Sequence, residues 1–171
     1  MRRFLKDDRY SVTVSTGESL ALEMSVFDSA LQMFGTRHWS LVMAPHGGPE
    51  FVTSDHPLGV VFKDSKARGP IGYGLPGTEV TFPVGARHVL LGVFEDPLAR
   101  QIDATAGQVA AINSRTVHHA DRQIYSRTEA VTILRNDGIG NLDLERSNKR
   151  MEPTVRREAA RSLWDERSPP L

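Results

Sequence analysis

Hydrophobic positions along the chain first recur at intervals of three and four. Leu20, Met24, Phe27 and Leu31 line one side of a helix over residues 16–35, with Thr16 as cap, Glu18 in the first turn and Gly35 as the C′ residue. That stripe reads as core, while Leu22, Val26 and Met33 form a second apolar face on the same helix. The pattern then shifts to short apolar runs. Residues 39–44 read as a strand, Pro45-His46-Gly47-Gly48-Pro49 as a turn, and 51–54 as a second strand broken by Asp55-His56-Pro57. A third strand covers 58–62, and the short connections make these strands antiparallel neighbours. Residues 63–78 hold six Gly and Pro and read as a long loop. Thr78 to Phe82 alternates as a half-buried strand ended by Pro83, and 87–94 follows as a buried strand. A second helix runs from about 103 or 105 to 119 with Val109, Ile112 and Thr116 inward, and 122–126 is a short strand. Thr128-Glu129 opens a third helix through Leu134, stopped by Asn136-Asp137-Gly138.

Strands that come in a run before the second helix suit an α+β fold better than βαβ alternation: a mostly antiparallel sheet of about five strands with two or three helices packed on one face. Residues 1–15 are expected to be a flexible lead-in, 16–143 a single domain, and 144–171 a basic, loosely attached or disordered tail. Within that tail Val155, Ala159, Leu163 and Trp164 fall on one side of a possible short helix.

Composition narrows the function classes. With 171 residues, the chain is long enough for one sizeable core. It has no Cys, which excludes a disulfide framework, a thiol nucleophile and thiolate zinc sites. No apolar run reaches membrane-spanning length, and the first residues lack a signal-peptide core, so a cytoplasmic location without membrane association is expected. The 21 basic and 21 acidic groups are unevenly placed: residues 11–145 carry 10 basic against 15 acidic groups. An acidic body argues against nucleic acid as a partner.

Thr53-Ser54-Asp55-His56 holds the most interesting polar cluster. A carboxylate beside an imidazole at a strand end can orient it, act as a base or hold a hard cation; it can equally form an Asx turn into Pro57. The turn is the favoured reading, and His56 is the weaker of the two candidates. Asn113, in mid-helix, either pins a neighbouring loop from inside the domain or contacts a ligand, and Arg122 is placed to pair with Asp55 if their strands are neighbours. No two histidines stand three or four apart, so no helical metal site is expected; His118 and His119 read as cations at a helix C-terminus. The glycine-rich stretch 69–77 lacks the ending of a phosphate loop, and no nucleophile elbow occurs.

Phe51-Val52-Thr53-Ser54-Asp55-His56-Pro57 resembles the hallmark of the "domain of unknown function 4238" family. Trp39, Phe82-Pro83, Asn113, Ala120-Asp121-Arg122 and Tyr125-Ser126 follow that family's order, and the similarity spans roughly residues 37 to 135. The resemblance implies a bacterial protein and carries no activity to transfer. The family's upstream His-containing opener does not precede Thr16, so the chain is expected to correspond to the C-terminal part of a member. The resulting expectation is a non-catalytic ligand- or protein-binding domain with a structural network of Thr53, Ser54, Asp55, Asn113 and Arg122. The alternative is a hydrolase- or nuclease-like enzyme centred on Asp55 with His56. No cofactor and no metal are expected, and uncovered apolar surface would make the chain a homo-oligomer or leave it short of an upstream region.

Overall fold

The computed structural model describes residues 15–64, 66–95, 99–135 and 138–144. The expected tail after 144, with its short helix, lies outside the described residues, as does the lead-in before Ser15. The chain divides into two compact units, Met1–Gly35 and Thr36–Leu171.

In the first unit, helix α1 (Thr16–Gly35) is capped by Ser15 rather than Thr16. The Ser15 hydroxyl accepts from the Glu18 N–H at 3.2 Å, and the Glu18 carboxylate accepts from the Ser15 N–H at 3.1 Å. Each thus satisfies the other's main chain, as a capping box requires. Gly35 is the last helical residue and lacks the left-handed φ of a C′ glycine. Contrary to the core expectation, α1 taken by itself has no buried residue: Leu20, Met24, Phe27 and Leu31 are all more than half exposed. The three-four spacing specifies a helix but not what the stripe covers. Here a second apolar stripe of Leu22, Val26 and Met33 is exposed as well.

The second unit is built on a five-stranded sheet. Its strands are β1 (His38–Met43), β3 (Gly59–Phe62), β4 (Thr78–Gly85), β5 (His88–Val93) and β6 (Gln101–Asp103), in the order β3-β4-β5-β1-β6. All pairings are antiparallel except β1 with β6. The sequence pattern had no way to mark β6, three residues without alternation. Pro83 does not end its strand; β4 runs on to Gly85 with a register irregularity between the two, where a missing N–H is tolerated. Residues 53–54 form β2 (Thr53–Ser54), which leaves the main sheet and pairs with β7 (Ile124–Tyr125) rather than with the strand before it.

Helix α2 (Ala106–His119) opens with a capping box between Thr105 and Gln108. Ten of its fourteen residues are buried, because it is packed on two sides. Val109 and Ile112 join Val42, Val89, Leu91 and Phe51 against the sheet. Val117 joins Val52, Val131 and Ile133 against a hairpin of β8 (Ala130–Arg135) and β9 (Gly138–Asp143), which Ala110 and Ala111 also meet at Leu134. That hairpin replaces the third helix expected from Thr128. The β-branched run Val131-Thr132-Ile133 favours a strand, and a two-residue connection joins Arg135 to its partner Gly138. Gly138 has φ +126°, which side-chain-bearing residues rarely adopt. The architecture is α+β, with α2 on one face of the sheet.

Candidate functional site

Strand register places the hallmark segment beside the end of α2. Thr53 pairs with Tyr125 and Ser54 with Ile124, so Asp55 emerges next to residues 121–123. Asp55 donates its own N–H to the Gln123 carbonyl at 3.2 Å. Its carboxylate then accepts the main-chain N–H of Asp121 on Oδ1 (3.0 Å) and that of Arg122 on Oδ2 (2.8 Å). Partial burial acts to raise the carboxyl pKa. The N–H groups of Arg122, Asp121 and Gln123, with the nearby His56 imidazole, outweigh it and hold the group below its ordinary value. Ser54 Oγ accepts the His56 N–H at 3.2 Å, closing the turn into Pro57. The His56 ring is exposed, with Nδ1 3.8 Å from Asp55.

The expected side-chain pair between Asp55 and Arg122 is therefore replaced by a main-chain one. The strands are neighbours, as anticipated, but only the Arg122 N–H reaches Asp55. Its guanidinium is exposed and lies 3.5 Å from the Asp121 carboxylate. A short tight loop after the helix presents N–H groups to the carboxylate and points the long side chain to solvent.

Asn113 is fully buried and bonds three main-chain groups from two segments. Its Oδ1 accepts the Val52 N–H at 3.0 Å, and its Nδ2 donates to the carbonyls of Glu50 (2.9 Å) and Thr132 (3.0 Å). It meets residues 50–52 and β8 rather than the Asp55 contact, so the expected polar residues form two separate clusters joined by the chain between 50 and 55. Thr53, partly buried in β2, lies between them.

Glu50, Val52 and Thr132 also line an open cleft of about 630 Å³. Its other walls include Gly47 and Gly48 of the turn after β1, Arg87 between β4 and β5, and Arg127 and Thr128 ahead of β8. Arg87 donates through Nη2 to the Ala44 carbonyl, which fixes its guanidinium. Arg127 Nη1 stands 3.4 Å from Glu50 Oε1 and is largely exposed. Neither arginine was singled out by its spacing; both lie in connections, where pattern carries no signal.

Two further polar groups escaped the sequence. Arg115 on α2 and Glu79 on β4 form a fully buried pair at 2.5 Å. Gly59 opposite them leaves the room they need, since a Cβ there would stand 3.3 Å from Arg115 Cβ and 2.9 Å from Thr81 Oγ1. Arg37, also buried, donates to the carbonyls of Thr78, Gly92 and Tyr73 and lies over the Phe94 ring at 4.1 Å. It ties the glycine-rich loop to the sheet. At the end of α2, burial lowers the His119 pKa, helped by His118, Arg115 and His56. Among the described residues no group of three potential ligands converges on a metal position, and no helix is long and apolar enough to cross a membrane.

Residues 2–130 match the model of a family described as a protein of unknown function, DUF4238. No curated protein and no solved structure matches the chain.

Proposed function

The chain belongs to the DUF4238 family, and on that footing we propose that it is a non-catalytic ligand-binding domain whose ligand occupies the cleft above Asn113. One observation carries this reading. A single buried side chain at the centre of α2 holds the main chain of three cleft residues, Glu50, Val52 and Thr132, so the floor is preformed from inside the domain. The volume is within the roughly 300–1,000 Å³ of small-molecule sites. In this reading Thr53, Ser54, Asp55 and Arg122 are scaffold: they fix the loop after α2 and thereby the segment that leads back to the cleft. An Asp55-centred hydrolase needs a carboxylate free to take a proton or bind a cation. Each oxygen of Asp55 instead accepts a main-chain N–H, and these bonds hold its pKa down and make it a weaker base.

Amide chemical shifts of the full chain, followed during addition of a set of small acids, sugars and amines, test this. The expected result is saturable change at Gly48, Val52 and Thr132. Changes confined to Thr53–His56, together with turnover of an ester or phosphodiester probe that is lost in Asp55→Asn, would favour the enzyme instead.

A further inference from the structure

We infer that the cleft takes a small anion, a molecule bearing a carboxylate or a phosphate, held between the guanidinium groups of Arg87 and Arg127. This deepens the binding reading above and rests on it. The first argument is charge. The body of the chain is acidic, yet the cleft walls bring together two arginines and one carboxylate, Glu50, leaving a local excess of positive charge. The second is donor supply. A guanidinium has five N–H donors in a planar fork that matches a carboxylate or phosphate edge. Arg87 spends Nη2 on the Ala44 carbonyl, a bond that anchors its guanidinium, and Arg127 makes only a long contact with Glu50. That contact is weak enough to yield to an incoming anion, and the Glu50 carboxylate, once released, can receive an ammonium or hydroxyl on the same ligand. The third is access to backbone. Gly47, at φ +68°, lines the cleft and has nothing within 4 Å of the place a Cβ would take, so no side chain crowds that part of the wall.

The test uses the full chain with inorganic phosphate and citrate as anionic probes, and glucose and choline as neutral and cationic ones, at matched ionic strength. The expected outcome is a saturable rise in Tm, with amide shifts at Val52 and Thr132, for phosphate or citrate and not for the others. Which anion binds more tightly identifies phosphate or carboxylate as the group recognised. Arg127→Ala, an exposed position where folding is not at stake, should weaken the apparent affinity roughly tenfold, the loss of one charge-assisted bond. Arg87→Lys keeps the charge but not the fork and should weaken it as well. An anion effect undiminished in Arg127→Ala would refute the assignment. So would cleft shifts produced by glucose or choline but not by either anion, in which case the binding reading itself would stand. If no probe of any charge perturbs a cleft amide, that reading fails first.

Discussion

A carboxylate whose two oxygens accept main-chain N–H groups stabilises the fold only while it is ionised, and Asp55 is in that position. Because its folded pKa lies below the ordinary value, the unfolded chain binds the proton more readily. Its contribution is complete above the unfolded carboxylate value of about 3.9 and is lost as pH falls through the lower folded one. His119 acts in the same direction higher up: burial favours its neutral form, so stability declines as pH drops below the ordinary imidazole value of about 6.5. Thermal melts between about pH 8 and pH 3 should therefore show Tm falling in two stages. Asp55→Asn should shrink the acid stage, to which Glu18 and Glu95 also contribute, and His119→Gln should remove the neutral one; an unchanged acid stage in Asp55→Asn would contradict the clamp. The turn chemistry of Ser54-Asp55-His56-Pro57 could be read from residue types because its hydrogen bonds are local. The partner of Asp55 could be named only to the nearest residue. Arg122 meets Asp55 through its main chain, and whether a long side chain or its amide meets a carboxylate depends on a loop conformation that residue type does not encode.

Elements were readable where a helical period was long, and misread where tertiary packing decided. The alternation of Thr78 to Phe82 suggested one wet face, yet β4 is buried on both: Val80 faces away from α2, and Glu79 and Thr81 turn toward it. The polar side of that alternation is the half of an ion pair whose other half, Arg115, lies 36 positions later. Nothing local connects them. Likewise Thr128 to Leu134 has a helix-like opening, but the long-range partner at Gly138–Asp143 and the buried side of α2 make it a strand. Since Glu79 and Arg115 are both fully buried, removing one takes away the opposite charge in direct contact with the other. Arg115→Met should cost about 3–5 kcal/mol in denaturant unfolding, whereas Glu79→Leu combined with Arg115→Met should recover most of that loss. Equal destabilisation by the single and double variants would mean that packing, not charge, dominates the site.

At the scale of the whole molecule, α1 has apolar side chains on two sides and three acidic groups, Glu18, Glu23 and Asp28, as its entire charge. Exposed apolar surface of that extent promotes association. Light scattering is expected to give a mass above 19.0 kDa that rises with concentration, and Leu22→Glu with Val26→Glu should lower it. A concentration-independent monomer would show that the helix is covered in solution. In the second unit, the three bonds of Asn113 have a consequence for cooperativity. They join the stretch that precedes β2, about sixty positions before Asn113, to β8, some twenty positions after it, through a helix packed on both. The segment 50–52, the helix and the hairpin therefore share one polar node, and no one of them can open while the others keep all their bonds. The Val52 amide is the reporter, because it is buried and its acceptor is a side chain, not a neighbouring strand. Its hydrogen exchange should proceed only through global unfolding, at the same free energy as the slowest amides of β4 and β5. In Asn113→Ala, Val52 should exchange through a local fluctuation, uncoupled from the sheet, turning one cooperative unit into two.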